Sequence, residues 1–420
     1  MLSLPGSSDG PQRALVVVVV VVAVALVCAG LVTVSRRPAP APSGLLASVA
    51  NATASLGGAF QPGVILAGGS NSSATLLGGI GVYDKATDFS LPVLTDVRDR
   101  AGVPSVENTT ALINQYFWEG GIYSIVWNGA EWLLTGQAGW GGGNTGTAIL
   151  VDGSQVVNLT PMVAADFAGG GIWAAGWNGT SWLLGGNASA GPELVSLSGD
   201  RVTNLTGFVS AHASPSWYQY LEWNDNEWLL AGEGILGLLR GTDYFDLFPA
   251  SPFGGNGVYA AGWNGSAWLV GGGSGHLEVI RGSSLAPGPP LPADLDQSIL
   301  SVQPLSPGWL IAGKGTSAQG GIAPGLADWN GNAVGAGVTD LGPLLPKSFL
   351  GGEVWGAVPV SSPPGLSFYV VGQGAYNFTS GFGLGALAVL TFSDGSATAT
   401  NTTEPVRSIG GPGAAGERER

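Results

Sequence analysis

Few side chains in this sequence are equipped for covalent or metal chemistry. Its 420 residues include one cysteine, Cys28, and two histidines, His212 and His276. Cys28 lies in an uncharged apolar run, so the rest of the chain has no thiol for catalysis, an intrachain disulfide or a cysteine-ligated metal. Two histidines cannot make a histidine-rich metal centre. A Ser-His-Asp triad would have to use one of them, and no nucleophile motif accompanies either. A carboxylate pair facing across a ring mouth would suit glycoside hydrolysis, but no spacing selects the pair. The densest acidic spot is "EWNDNEW", Glu222 to Trp228. Glu222, Asp225 and Glu227 offer oxygens to a calcium ion, but the full calcium-loop pattern is missing, and a solvated hairpin with Asx hydrogen bonds explains the stretch. The expectation is therefore no catalytic residue, no bound metal and no cofactor.

Acidic residues outnumber basic ones 28 to 14, and residues 45–405 carry 25 acidic and 8 basic groups, a net charge of −17. Phosphate backbones would be repelled, which argues against nucleic acid as a partner. With 72 glycines, 15 tryptophans and only 10% charged residues, the composition is unlike a helical bundle. At 45% hydrophobic it can bury a core. The class that remains is all-β, with short strands and glycine-rich turns.

A repeated phrase supports this. "WNGAEWLLTG" from Trp127, "WNGTSWLLGG" from Trp177, "WNDNEWLLAG" from Trp223 and "WNGSAWLVGG" from Trp263 are near copies. Aligned on the glycine after aromatic-hydrophobic-hydrophobic-X, the series runs through Gly68, Gly136, Gly185, Gly232, Gly271, Gly313 and Gly372. A period in the forties with strand content indicates propeller blades. One copy reads as an inner strand of small and apolar residues ("GIWAAGW"), a two-residue Asn-Gly hairpin, a tryptophan-led second strand ("SWLLGG"), a third ("PELVSLSG") and a polar outer strand ("RVTNLTGF"), and the preceding copy repeats it. The tryptophans should wedge blade against blade. Seven copies predict a seven-bladed β-propeller over residues 45–405, the last blade ending in "SATATNTT" and the first opening around Ala54 to Phe60, while the pattern leaves open whether "SGLLASVA", from Ser43, adds a closing strand.

The paired glycines after a hydrophobic strand (Gly68-Gly69, Gly185-Gly186, Gly271-Gly272) resemble the kelch type of repeat. With the apolar N-terminal segment, acidic composition and glycosylation triplets, the chain is similar to archaeal membrane-anchored cell-surface propellers. The resemblance implies the architecture and carries no active site with it. Copper-radical oxidation, known among kelch-like enzymes, needs a cross-linked cysteine that this domain lacks. Sialidase-like catalysis needs clustered arginines, and Arg98, Arg100, Arg201, Arg240 and Arg281 are scattered over different repeat positions.

Residues 1–13 precede an uncharged run of 21, Ala14 to Val34, long enough for a transmembrane helix. A cleavable signal peptide is the alternative, with Val27 and Ala29 before a cleavage site. A Pro/Ala linker, 35–44, follows, and residues 406–420 read as a tail. Asn-X-Ser/Thr triplets occur at Asn51, Asn71, Asn108, Asn158, Asn178, Asn187, Asn204, Asn264, Asn377 and Asn401, ten of 18 asparagines. Arg36 and Arg37 after the run favour a cytoplasmic domain. The triplet excess and the missing thiols favour a propeller outside the cytoplasm, anchored in the membrane or secreted if cleaved.

The second-to-third-strand loops and inter-blade connections of a propeller share one face. Here that face receives aromatics beside polar groups: Trp118, Glu119, Trp140, Asp166, Phe167, His212, Trp217, Tyr218 and Phe253. They form the candidate platform for a glycan or protein ligand. The function read from the sequence is a non-catalytic binding or surface-scaffold module. A carbohydrate-active enzyme and a purely structural envelope component are the alternatives.

Overall fold

A computed structural model describes residues 30–31, 45–61, 63–84, 89–100, 103–139, 143–305, 308–319, 321–333, 336–360, 366–374 and 383–394. They form seven antiparallel four-stranded blades, one of which carries an additional two-residue strand, Gly30–Leu31. The inner strands, blades 1 to 7, are Val64–Ser70, Gly121–Trp127, Gly171–Trp177, Trp217–Trp223, Val258–Trp263, Ser298–Pro304 and Glu353–Pro359. Of the expected 14–34 helix only Gly30 and Leu31 are described, and they are strand rather than helix. No helix among the described residues is long and apolar enough to cross a membrane. The linker, Trp140, Asn377, Asn401, "SATATNTT" and the tail lie outside the described residues.

The ring closes across the two ends of the domain. Leu45–Asn51 pairs antiparallel with Gly385–Asp394 and is the outer strand of blade 7. This corrects the expectation that blade 7 supplies its own fourth strand from "SATATNTT". Blade 1 also differs from its sequence reading. Thr53–Leu56 is a 3-10 helix, and the inner strand is Val64–Ser70 itself. "VILAG" is thus an inner strand, and the true counterpart of "WLLGG" is "TLLGG", Thr75 to Gly79, because Ser70 pairs Thr75 as Trp177 pairs Trp182.

The Asn-Gly turn is longer than the predicted two-residue hairpin. Trp177 and Trp182 are the last pair, leaving Asn178 to Ser181 as a four-residue connection. Asn178 Oδ1 accepts from the backbone N–H groups of Thr180 (3.0 Å) and Ser181 (2.8 Å). Gly179 takes a positive φ of 93°, and Asp225 takes the same place in blade 4 at 73°. The flanking tryptophans do pack as expected, with ring centroids 4.6 Å apart for Trp177–Trp182 and 5.1 Å for Trp263–Trp268. Each second-strand ring also wedges against the preceding blade: Trp132 lies over Gly69, Trp228 over Gly176, and Trp309 Nε1 donates to the Gly262 carbonyl at 3.2 Å.

Every inner strand carries a bulge, at Leu66, Tyr123, Trp173, Gln219, Tyr259, Leu300 and Trp355. The residue opposite is always glycine: Gly79, Gly136, Gly186, Gly232, Gly272, Gly313 and Gly372. A Cβ on Gly186 would collide with the Gly171 carbonyl, and the other six meet the matching carbonyl in their own blades. The bulge re-aims one side chain per blade. Leu66, Tyr123, Trp173, Tyr259, Leu300 and Trp355 accordingly meet in one buried cluster drawn from six blades, which places them on the propeller axis.

The sequons have a structural use. Asn51, Asn108, Asn158 and Asn204 end outer strands, and each Oδ1 accepts from the N–H of the threonine two residues on. That threonine then ties the turn to the third strand: Ala148 N–H donates to Thr160 Oγ1 (3.1 Å), which donates to the Ala148 carbonyl (3.2 Å). Asn71, Asn178 and Asn264 hold inner turns, and Asn187 Oδ1 accepts from Trp173 Nε1 at 2.6 Å. Replacing Thr160 by Val removes both hydrogen bonds of the Thr160 hydroxyl at constant shape and is expected to cost about 1–2 kcal/mol, whereas Thr160→Ser should cost under ~0.5. Urea unfolding of protein from a non-glycosylating host checks this.

Candidate functional site

The inter-blade connections and the second-to-third-strand loops lie on one face, and the structure separates the aromatic residues expected to form a platform there. Trp118 is 55% exposed, with its ring beside Gly139. Glu119 is half-buried, and that desolvation raises its carboxyl pKa. Asp166 accepts a 2.7 Å hydrogen bond from Asn204 Nδ2. His212 is exposed, donates through Nδ1 to the Phe208 carbonyl at 2.9 Å and lies tilted against both the Phe208 and Tyr244 rings. Trp217, half-buried, opens the inner strand of blade 4, 6.0 Å from Trp173. Phe167, Phe253 and Tyr218 are buried inside blade junctions, so they serve packing and not the ligand face assigned to them from sequence. Phe60, Phe117 and Phe349 fill corresponding places.

The acidic groups also disperse. Glu222 turns inward and accepts from the Tyr220 hydroxyl at 2.6 Å. Glu227 pairs with Arg240 at 3.1 Å, while Asp225 stays in solvent. The three carboxylates therefore diverge, two to separate partners and one to solvent. At the start of the blade 7 inner strand, Glu353 pairs with Lys314 of blade 6 at 3.0 Å. Burial raises the Glu353 pKa, and the lysine opposes this. Among the described residues no group of three or more His, Cys, Asp or Glu is arranged to hold a metal.

A concavity does exist on this face, at blade 6, where sequence reading did not look. Its volume is about 370 Å³. The connection entering blade 6 supplies Pro292 and Asp294, the facing ends of its second and third strands Thr316 and Pro324, the end of its outer strand Asp340, and the connection leaving it Leu350. Leu350 is 58% exposed. Asp340 Oδ1 accepts from the Gly342 N–H at 2.8 Å, which aims the strand end into the cavity wall. Asp294 Oδ1 is buried without a hydrogen-bond partner, and its pKa is pushed up to about 6, by desolvation first and then by Asp340. An apolar wall of proline and leucine beside two carboxylates, one lacking a donor, matches a cationic group on an aliphatic stem.

No protein-family model and no curated protein matches the sequence. Among solved structures the chain is similar to the WD40 β-propeller domain of Doa1, at 9% identity and a TM-score of 0.45, covering 77% of this chain and 90% of that one. It is likewise similar to a chain of the mitotic checkpoint complex, at 12% identity and a TM-score of 0.46, covering 85% and 93%.

Proposed function

We propose that this propeller is a non-catalytic binding module that engages a basic segment of a protein partner on its loop face, at the blade 6 cavity. The observation carrying this is the Asp294 carboxylate, whose buried Oδ1 has no hydrogen-bond partner, beside Asp340 in a proline- and leucine-walled cavity, with Leu350 exposed at its edge. The net charge of the domain favours encounter with a basic partner. We place the module outside the cytoplasm, exported by its N-terminal apolar segment, a location supported by the thiol-free domain. The sequons add less support than their number suggests, since the eight described asparagines all work in the fold. Kinship with kelch-type cell-surface propellers belongs to the same proposal.

Thermal unfolding against a panel of Lys- or Arg-containing peptides, neutral peptides and glycans tests the reading. Basic peptides with a neighbouring apolar residue should raise the melting temperature. Asp294→Asn should weaken their binding at least tenfold, the cost of losing one charge-assisted contact. Binding should also fall as pH drops through about 6, where Asp294 takes up its proton. A response to glycans alone, or one that Asp294→Asn leaves intact, would overturn the assignment.

A further inference from the structure

We propose that the axial channel is a docking groove for extended main chain, and that its occupant is the chain's own segment containing Gly30 and Leu31. The blades are radial sheets whose faces pack against one another. What they present to the axis is therefore the free edge of seven inner strands, a row of N–H and C=O groups that need partners. The bulges make that axis apolar by turning Leu66, Tyr123, Trp173, Tyr259, Leu300 and Trp355 into it. A dry channel with open strand edges leaves polar groups without water, and another strand satisfies them best.

Gln219, the bulge residue of blade 4, is the polar member of the ring. It is 2% exposed, and neither its amide nitrogen nor its amide oxygen has a partner. Trp355 Nε1 is also buried and unpartnered.

Gly30–Leu31 already pairs there. Gly30 aligns with Ser124 and Leu31 with Ile125, in parallel, directly after the bulge at Tyr123. The pair also lies against the inner strands of blades 1, 3, 4 and 7, which is possible only from the axis. Chain length permits this together with ring closure. Leu31 and Leu45 are 14 residues apart, a reach of about 45–50 Å, whereas the outer strand of a blade lies only ~14 Å from the inner one. The N-terminal end is thus used twice, in the channel and on the rim of blade 7. A helix spanning a bilayer through Val34 excludes this strand. Cleavage after Ala29 would preserve it, with Gly30 as the first residue.

Hydrogen exchange of the full chain, read by mass spectrometry in lipid-free buffer and with phosphatidylcholine vesicles, tests the proposal. The Gly30 and Leu31 amides should be protected without lipid. Leu31→Pro, which removes a ladder N–H, should speed exchange across Gly121–Trp127 at least tenfold and leave Val258–Trp263 unchanged. Gly30→Pro provides a second variant should the first disturb blade 5. Exchange of Gly30 and Leu31 at free-chain rates in buffer, protection that appears only with vesicles, or unaltered exchange of Gly121–Trp127 in both variants would overturn it.

Discussion

A chain lacking Leu45–Asn51 is expected to lose its cooperative fold. These residues pair with Gly385–Asp394 along their whole length, from Leu45 opposite Asp394 to Asn51 opposite Ala388. Ala47 and Val49 pack on the cluster that contains Phe368, Leu390 and Phe392. Just beyond, Leu387 N–H donates to the Thr53 hydroxyl at 3.0 Å, and the hydroxyl donates to the Leu387 carbonyl at 3.1 Å. No covalent bond closes the ring, so this latch holds the first and last blades together. Without it the third strand of blade 7 becomes a long open edge, a template for pairing with another chain. Urea unfolding and gel filtration of the deletion should show no cooperative transition and aggregated material. Val49→Asp is the graded form, placing a charge against the cluster at a cost of about 2–4 kcal/mol. A deletion that unfolds at the wild-type midpoint would mean the ring holds without its latch.

The blades were legible because local chemistry repeats in them. Trp177 and Trp182 are neighbours in sequence and partners across the turn, so one phrase encodes two strands and their connection. Blade 1 misled where that chemistry lapses. Thr75 stands where blades 2 to 6 have tryptophan and blade 7 has Phe368, and an alignment seeking an aromatic or bulky apolar start slides to Val64, one strand too early. The latch was illegible for a different reason. "LLASVAN" and "SATATNTT" are both credible strands, and the choice between them is a pairing over more than 300 residues that no local pattern records. The bulges are equally tertiary: Gln219 and Trp355 look like ordinary strand residues until the register slips and turns them to the axis.

The site was less legible than the fold. Aromatics in long connections suggested a platform, yet blade junctions also require large apolar side chains from those connections. Phe167 and Phe253 meet that need inside the protein. The blade 6 cavity is made of prolines, leucines and two aspartates from three separate segments, residue types that carry no motif. Its only sequence signal is the proline density of "GPPLPAD" and "GPLLPKS". The sequons show the converse. Asn-X-Thr after an outer strand is a capping device whose hydroxyl ties two strands, so a pattern read as a mark of location is first a requirement of the blade.

Replacing Glu222 by Gln is expected to stabilise the protein, increasingly so with rising pH. Glu222 takes the penultimate place of its inner strand, where blades 1, 3 and 5 have Gly69, Gly176 and Gly262. It is buried, and the hydrogen bond from Tyr220 only partly offsets the loss of hydration. Desolvation pushes its pKa from 4.5 up to about 8. A raised carboxyl pKa means that the folded state keeps a proton the unfolded state has lost. The contribution to stability is then complete below the unfolded pKa and is lost as pH rises through the folded one, at about 1.4 kcal/mol per pH unit. Asp294 and Asp328, both raised to about 6, act in the same direction but finish lower. The interval from pH 6 to 8 therefore isolates Glu222 from these two. Glutamine keeps the shape and the acceptor for Tyr220 without a charge to desolvate. Urea unfolding at pH 6, 7, 8 and 9 should show Glu222→Gln gaining on the wild type by roughly 2–3 kcal/mol between the ends. A constant difference across that range would mean that Glu222 titrates at its ordinary value, with water reaching the carboxylate behind Tyr220.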